Sequence, residues 1–113
     1  MNAVFGTLPD GRTVHRIILR DGELTASVLA LGAILQVLRL AGTPWPLILG
    51  SDSLAAYQVP MAFNGAVVGP VANRIAGAKA EISGKICQLE ANEGGRTSLH
   101  GGASGIWGDV WQI

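Results

Sequence analysis

The sequence predicts an all-β fold, a sandwich of short antiparallel strands, on three observations. Sixteen glycines and five prolines are spread along 113 residues, so turn signals recur too often for long helices to form. Residues 79–90 alternate polar and apolar on either side of Ser83-Gly84, the pattern of a hairpin closed by a two-residue turn. The other apolar runs are short and carry β-branched side chains, which suit a pleated, half-buried surface. Many short strands between frequent turns favour a sandwich.

Residues 14–19 form the first predicted strand, with Val14, Ile17 and Ile18 between the turn sites Pro9-Asp10-Gly11 and Asp21-Gly22. Residues 24–40 are ambiguous. Their Ala and Leu content favours helix, and apolar residues fall at helical as well as alternating offsets. Gly32 in the middle and the β-branched Thr25, Val28, Ile34 and Val37 decide for two buried strands hinged near Gly32. Leu47-Ile48-Leu49 reads as a short apolar strand, and Ser51-Asp52-Ser53 as a side-chain cap for a helical turn through Tyr57. In the hairpin, Ile82, Ile86 or Cys87, and Leu89 are expected to face inward while Lys79, Glu81, Lys85 and Glu90 stay wet. Residues 92–98 make a polar loop, and Val110-Trp111-Gln112-Ile113 begins another strand with Trp111 in the core. A terminal strand without a neighbour leaves an apolar edge. Residues 1–113 are therefore expected to be the N-terminal part of a single sandwich domain that continues beyond them.

Composition narrows the function classes. Hydrophobic residues are 49% and charged residues 14%, the reverse of a disordered chain. Lys+Arg and Asp+Glu balance at 8 each, so no net field draws nucleic acid or an anionic membrane. Residues 1–12 hold no apolar leader, and the apolar run of residues 27–40 is shorter than the ~20 residues of a spanning helix and contains Arg39. The lone Cys87 allows no internal disulfide and reads as a small buried hydrophobe. It suits a reducing compartment, and the expected location is the cytoplasm. No HExxH, CxxC or paired-carboxylate motif supports a metal, and the Gly-rich Glu93-Gly94-Gly95-Arg96 and Gly101-Gly102 lack the Lys-Ser/Thr of a phosphate loop.

The residues left to carry chemistry are few. Asn73-Arg74 follows Gly69-Pro70 where a strand meets a loop. Arg offers five donors in a rigid fork and Asn both a donor and an acceptor, so the pair can grip vicinal hydroxyls of a sugar. Arg74 can equally tie two loops together through backbone carbonyls. His100 lies between Leu99 and Gly101-Gly102, glycines that would let a ligand approach closely; such a His can also be merely structural. His15 has only Arg16 and Arg20 for polar company and reads as structural. Trp107, in a loop, can flank a site, whereas Trp45 and Trp111 read as core.

Together these features resemble the aldose 1-epimerase (galactose mutarotase) family. The resemblance runs in order through Gly32-Ala33-Ile34, Leu49-Gly50, Tyr57, Gly69, Ala72-Asn73-Arg74-Ile75, Gly84, Leu89, Asn92, Leu99-His100-Gly101-Gly102, Gly105 and Trp111. The Asn-Arg-Ile and Leu-His-Gly-Gly motifs are its specific part. Pro70 stands where many members carry Arg. The resemblance implies a large, here truncated, mutarotase-like supersandwich. It implies an isomerase that interconverts anomers of a free aldohexose such as galactose or glucose, with no cofactor and no metal. It marks Asn73, Arg74 and His100 as sugar-binding. The family's general acid (a His) and general base (a Glu) are expected downstream of Ile113, so the catalytic residues within this chain are none. A non-catalytic sugar-binding or sugar-sensing protein on the same fold, and a structural β-module, are the other readings.

Overall fold

Residues 24–40 do form two antiparallel strands, parted at the glycine that interrupts them. The computed structural model, which describes residues 2–112, contains β1 (Asn2–Thr7), β2 (Thr13–Asp21), β3 (Leu24–Leu29), β4 (Ile34–Leu40), β5 (Arg74–Ile75), β6 (Lys79–Ile82), β7 (Lys85–Gln88) and β8 (Ser98–Leu99). Short 3-10 turns occupy Leu54–Tyr57, Ala76–Ala78 and Ile106–Gly108. All strand pairs among the described residues are antiparallel. No helix among them is long and apolar enough to cross a membrane. The chain divides into two units, one of residues up to Val67 with those from Asp109 onward, the other Val68–Gly108.

The first unit is a meander in the order β1-β2-β3-β4. Asp21 pairs with Leu24, so the turn is Gly22-Glu23, one residue beyond the expected Asp21-Gly22. Gly22 takes φ 53 at the first turn position, which glycine tolerates without a Cβ penalty. Its core is Leu8, Val14, Leu29, Ala30, Leu31, Ile34, Leu54 and Tyr57, with Phe5, Met61, Ala66 and Val110 packed against it. The β3–β4 connection is held by Gly32 N–H to Asp109 O (2.8 Å), Val67 N–H to Gly32 O (2.9 Å) and Trp111 N–H to Ala30 O (2.8 Å).

Several expectations fail in this unit. Val110 makes an isolated bridge to Leu31 rather than opening a strand. Its side chain packs on the core; on extended backbone the next side chain then points away, and Trp111 is exposed. Trp45 is exposed too, and Ile113 lies outside the described residues. Leu47-Ile48-Leu49 is not a strand, although Leu47 N–H reaches Leu38 O at 2.7 Å. Residues 47–49 keep their N–H groups, but Pro44 and Pro46 just before them carry none, so a ladder cannot extend through the approach to this segment. Ser53 stands before the Leu54–Tyr57 turn but makes no side-chain cap. Ser51 Oγ accepts from Ser53 N–H instead (3.1 Å), while Asp52 Oδ1 accepts from Gln36 Nε2 (3.2 Å).

In the second unit β6 and β7 form the expected hairpin, with Ile82 paired to Lys85 around Ser83-Gly84. Both turn residues have positive φ, 52 and 75, as a type I′ turn requires. Ile82 and Ile86, expected inside, are 57% and 69% exposed. They sit on opposite faces, Ile82 across from Lys85 and Ile86 across from Glu81, so no single covering layer could bury both. Cys87 and Leu89 are half-buried. β5 pairs with β8.

Candidate functional site

The β5–β8 ladder brings the two sequence motifs together. Arg74 pairs with Leu99, which sets Asn73 beside His100. Their contact is reciprocal: His100 N–H donates to Asn73 O (3.0 Å), and Asn73 N–H donates to His100 Nδ1 (3.0 Å). With Nδ1 accepting, the proton of the neutral imidazole resides on Nε2. Both residues have left-handed backbone, Asn73 at φ 65 and His100 at φ 54. Non-glycine residues adopt that region at a cost, and such strain tends to collect at functional sites. Asn73 Oδ1 accepts from Arg74 N–H (2.9 Å).

Arg74 meets Glu93 fork to fork. Its Nε donates to Oε2 and its Nη2 to Oε1, each at 2.6 Å. The guanidinium thus ties β5 to the loop between β7 and β8 through a carboxylate, not through the backbone carbonyls that the alternative reading of Arg74 invoked. The Arg74 hydrogen bonds, with the Arg74 charge, hold the Glu93 carboxyl below the usual range, and Glu93 in turn raises the Arg74 pKa. A depressed carboxylate keeps its pairing above the unfolded pKa and loses it as pH falls through the folded one. The ion pair therefore outlasts a free glutamate into acid.

Three neighbouring side chains surround this arrangement. Asn92 imitates a strand: its Nδ2 donates to Leu99 O (3.0 Å) and its Oδ1 accepts from Leu99 N–H (2.8 Å). Glu90 accepts from Ser104 N–H (3.1 Å) and from Ser104 Oγ, bonds that hold its carboxyl below the usual range. Trp107 is half-buried, and its Nε1 donates to Gly102 O (3.1 Å), two residues from the imidazole. The glycines after His100 admit the chain itself, not only a ligand. A Cβ on Gly101 would lie 1.8 Å from Gly69 O, and one on Gly102 2.9 Å from Glu90 Cβ.

All three predicted site residues, Asn73, Arg74 and His100, therefore meet on one unit, while His15 lies on β2 in the other. Sequence reasoning missed Glu93, weighed only within a discarded phosphate loop. Its partner stands 19 positions away, and only the tight turn signalled by Gly94-Gly95 hints that the chain doubles back there. Asn92 entered only as part of the family resemblance, with no structural role attached.

The model of a family described as "Aldose 1-epimerase" matches residues 15–113. Galactose mutarotase of Bos taurus is 37% identical over 113 residues, covering 96% of this chain and 33% of that protein. The Escherichia coli (strain K12) aldose 1-epimerase is 32% identical over 117 residues, covering 100% of this chain and 34% of that protein. The crystal structure of galactose 1-epimerase from Lactobacillus acidophilus NCFM superposes with a TM-score of 0.79 at 26% identity, over 99% of this chain and 32% of that one. The chain spans about a third of the length of these relatives. The antiparallel β architecture expected from the sequence is that of a partial sandwich of this kind.

Proposed function

We propose that this chain, which belongs to the aldose 1-epimerase family, supplies the sugar-binding residues Asn73, Arg74 and His100 of a mutarotase acting on a free aldohexose. The observation that carries the reading is the reciprocal Asn73–His100 contact. It holds a strained pair of polar residues beside an exposed guanidinium, where a ligand's hydroxyls find donors and acceptors together. Galactose is the first sugar to test, since relatives bear the name galactose mutarotase. Anomer exchange needs a base to take the C1 hydroxyl proton and an acid to protonate the ring oxygen. Rotation about C1–C2 and reclosure then give the other anomer. The C1–ring-oxygen bond breaks as the C1 hydroxyl oxygen becomes the aldehyde carbonyl and re-forms on reclosure, with no net change of oxidation state, so acid and base suffice without a metal or organic cofactor. In this reading the acid His and base Glu belong to the remainder of a family-length protein, and the hexose is met in the cytoplasm.

Trp107 provides the test. In a variant with Trp45 and Trp111 changed to Phe, galactose is expected to change Trp107 fluorescence and to saturate. Arg74→Ala should weaken that titration about tenfold and His100→Ala about threefold, because hydrogen bonds from a charged donor are worth more than neutral ones. Polarimetry on freshly dissolved α-galactose should show no acceleration by the chain alone. A titration unaltered in both alanine variants would remove these residues from the sugar site. Accelerated mutarotation that follows the chain through purification would show that the acid and base lie within it.

A further inference from the structure

The Arg74–Glu93 pair is fixed from both of its ends. Arg74 is set in register by β5. Glu93 is set by its own turn, where its N–H donates to Thr97 O (3.0 Å) and its O accepts from Arg96 and Thr97 N–H (3.2 Å each). Asn92, immediately before it, is pinned to Leu99. The pair itself is exposed, with side chains 58% and 36% accessible, and exposed ion pairs add little to stability. Its geometric consequence is larger. Glu93 occupies the Nε and Nη2 side of the fork, which leaves Nη1 with no hydrogen-bond partner among the described residues.

We propose that Glu93 is a positioning residue for the sugar site. It turns the guanidinium so that the Nη1 edge meets the hydroxyls, and it balances the Arg74 charge so that neutral sugars are preferred over sugar phosphates. This rests on the reading of Arg74 as a sugar ligand. A fork held on one side presents its remaining N–H groups in one direction, which preserves affinity otherwise lost to side-chain ordering. The pair also has no net charge. A phosphorylated sugar approaching Arg74 therefore meets the Glu93 carboxylate as well, and gains nothing from the cation alone.

Charge makes the test diagnostic, because the two ligands respond with opposite signs. Glu93→Gln keeps the size but loses the charge and the paired acceptors. In the Trp107 titration it should weaken galactose about 3–10-fold and tighten galactose 6-phosphate about fivefold. Glu93→Asp, which keeps the charge, should retain the wild-type preference between the two. Parallel weakening of both ligands in step with a lower Tm, or no change in either, would overturn the role of Glu93. If Arg74→Ala weakens galactose while Glu93→Gln does not, this inference alone fails. If Arg74→Ala has no effect, the sugar reading fails and the positioning role fails with it.

Discussion

Replacing Gly101 with alanine is expected to cost about 3 kcal/mol or more and to dislodge His100. Two penalties combine. Gly101 has φ +87, a conformation that costs an L-residue about 1–2 kcal/mol. Its added Cβ would also lie 1.8 Å from Gly69 O, 2.4 Å from Gly69 C and 2.9 Å from Pro70 Cδ. Those obstacles are backbone and a proline ring rather than the end of a flexible side chain, so relief requires the chain to move. Overpacking of that kind adds about 1–3 kcal/mol. Gly84 is the control, because its φ is +75 and nothing lies within 4 Å of the position an added Cβ would take. Gly84→Ala should therefore show the conformational part alone, about 1 kcal/mol. Urea unfolding measures both costs. The Asn73 amide resonance, whose N–H rests on His100 Nδ1, reports whether the imidazole has moved. It should shift in Gly101→Ala and stay in Gly84→Ala; equal costs and an unmoved resonance would show that the Gly69 contact does not constrain the loop.

What the sequence made legible was local. The hinge at Gly32 and the β6–β7 hairpin could be read because turn chemistry and alternation lie within a few residues of each other. Asn73, Arg74 and His100 were legible as a group only through the family resemblance, since no pattern within either motif announces its distant partner. The features that escaped depend on contacts between segments far apart in the chain. Glu93 is ordinary until Arg74 stands against it. Gly101 looks like room for a ligand until Gly69 fills that room. Ile82 and Ile86 pass as inward residues until the register puts them on opposite faces. Leu47-Ile48-Leu49 has the composition of a strand, and the prolines beside it decide otherwise.

Gln36 is the clearest case of such a hidden contact, and changing it should have a large effect. It lies on β4 within an apolar run, only 1% exposed. Its Oε1 accepts from Ser27 Oγ on β3 (2.6 Å). Its Nε2 donates to Ser51 O (2.9 Å) and Asp52 Oδ1 (3.2 Å). Among the described residues no buried side-chain N or O lacks a partner, so this network is complete and any deletion leaves a gap. The same segment also touches the β4 backbone, for a Cβ on Gly50 would lie 1.9 Å from Gln36 O. Gln36→Ala removes every one of these bonds, strands the buried Ser27 hydroxyl and opens a cavity. Unsatisfied polar groups at about 1–3 kcal/mol, together with a cavity penalty, put the loss near 3–4 kcal/mol. Gln36→Leu fills most of the space and should cost about 2 kcal/mol, chiefly through the polar groups left unpaired. Adding Ser27→Ala to Gln36→Leu removes one of those groups and should recover about 1 kcal/mol, a coupling that separate and independent sites would not show. Urea unfolding of the single and double variants measures it. Strict additivity would mean that Ser27 finds another partner or water once Gln36 is gone, and that the network does not hold β3, β4 and the 50–52 segment together.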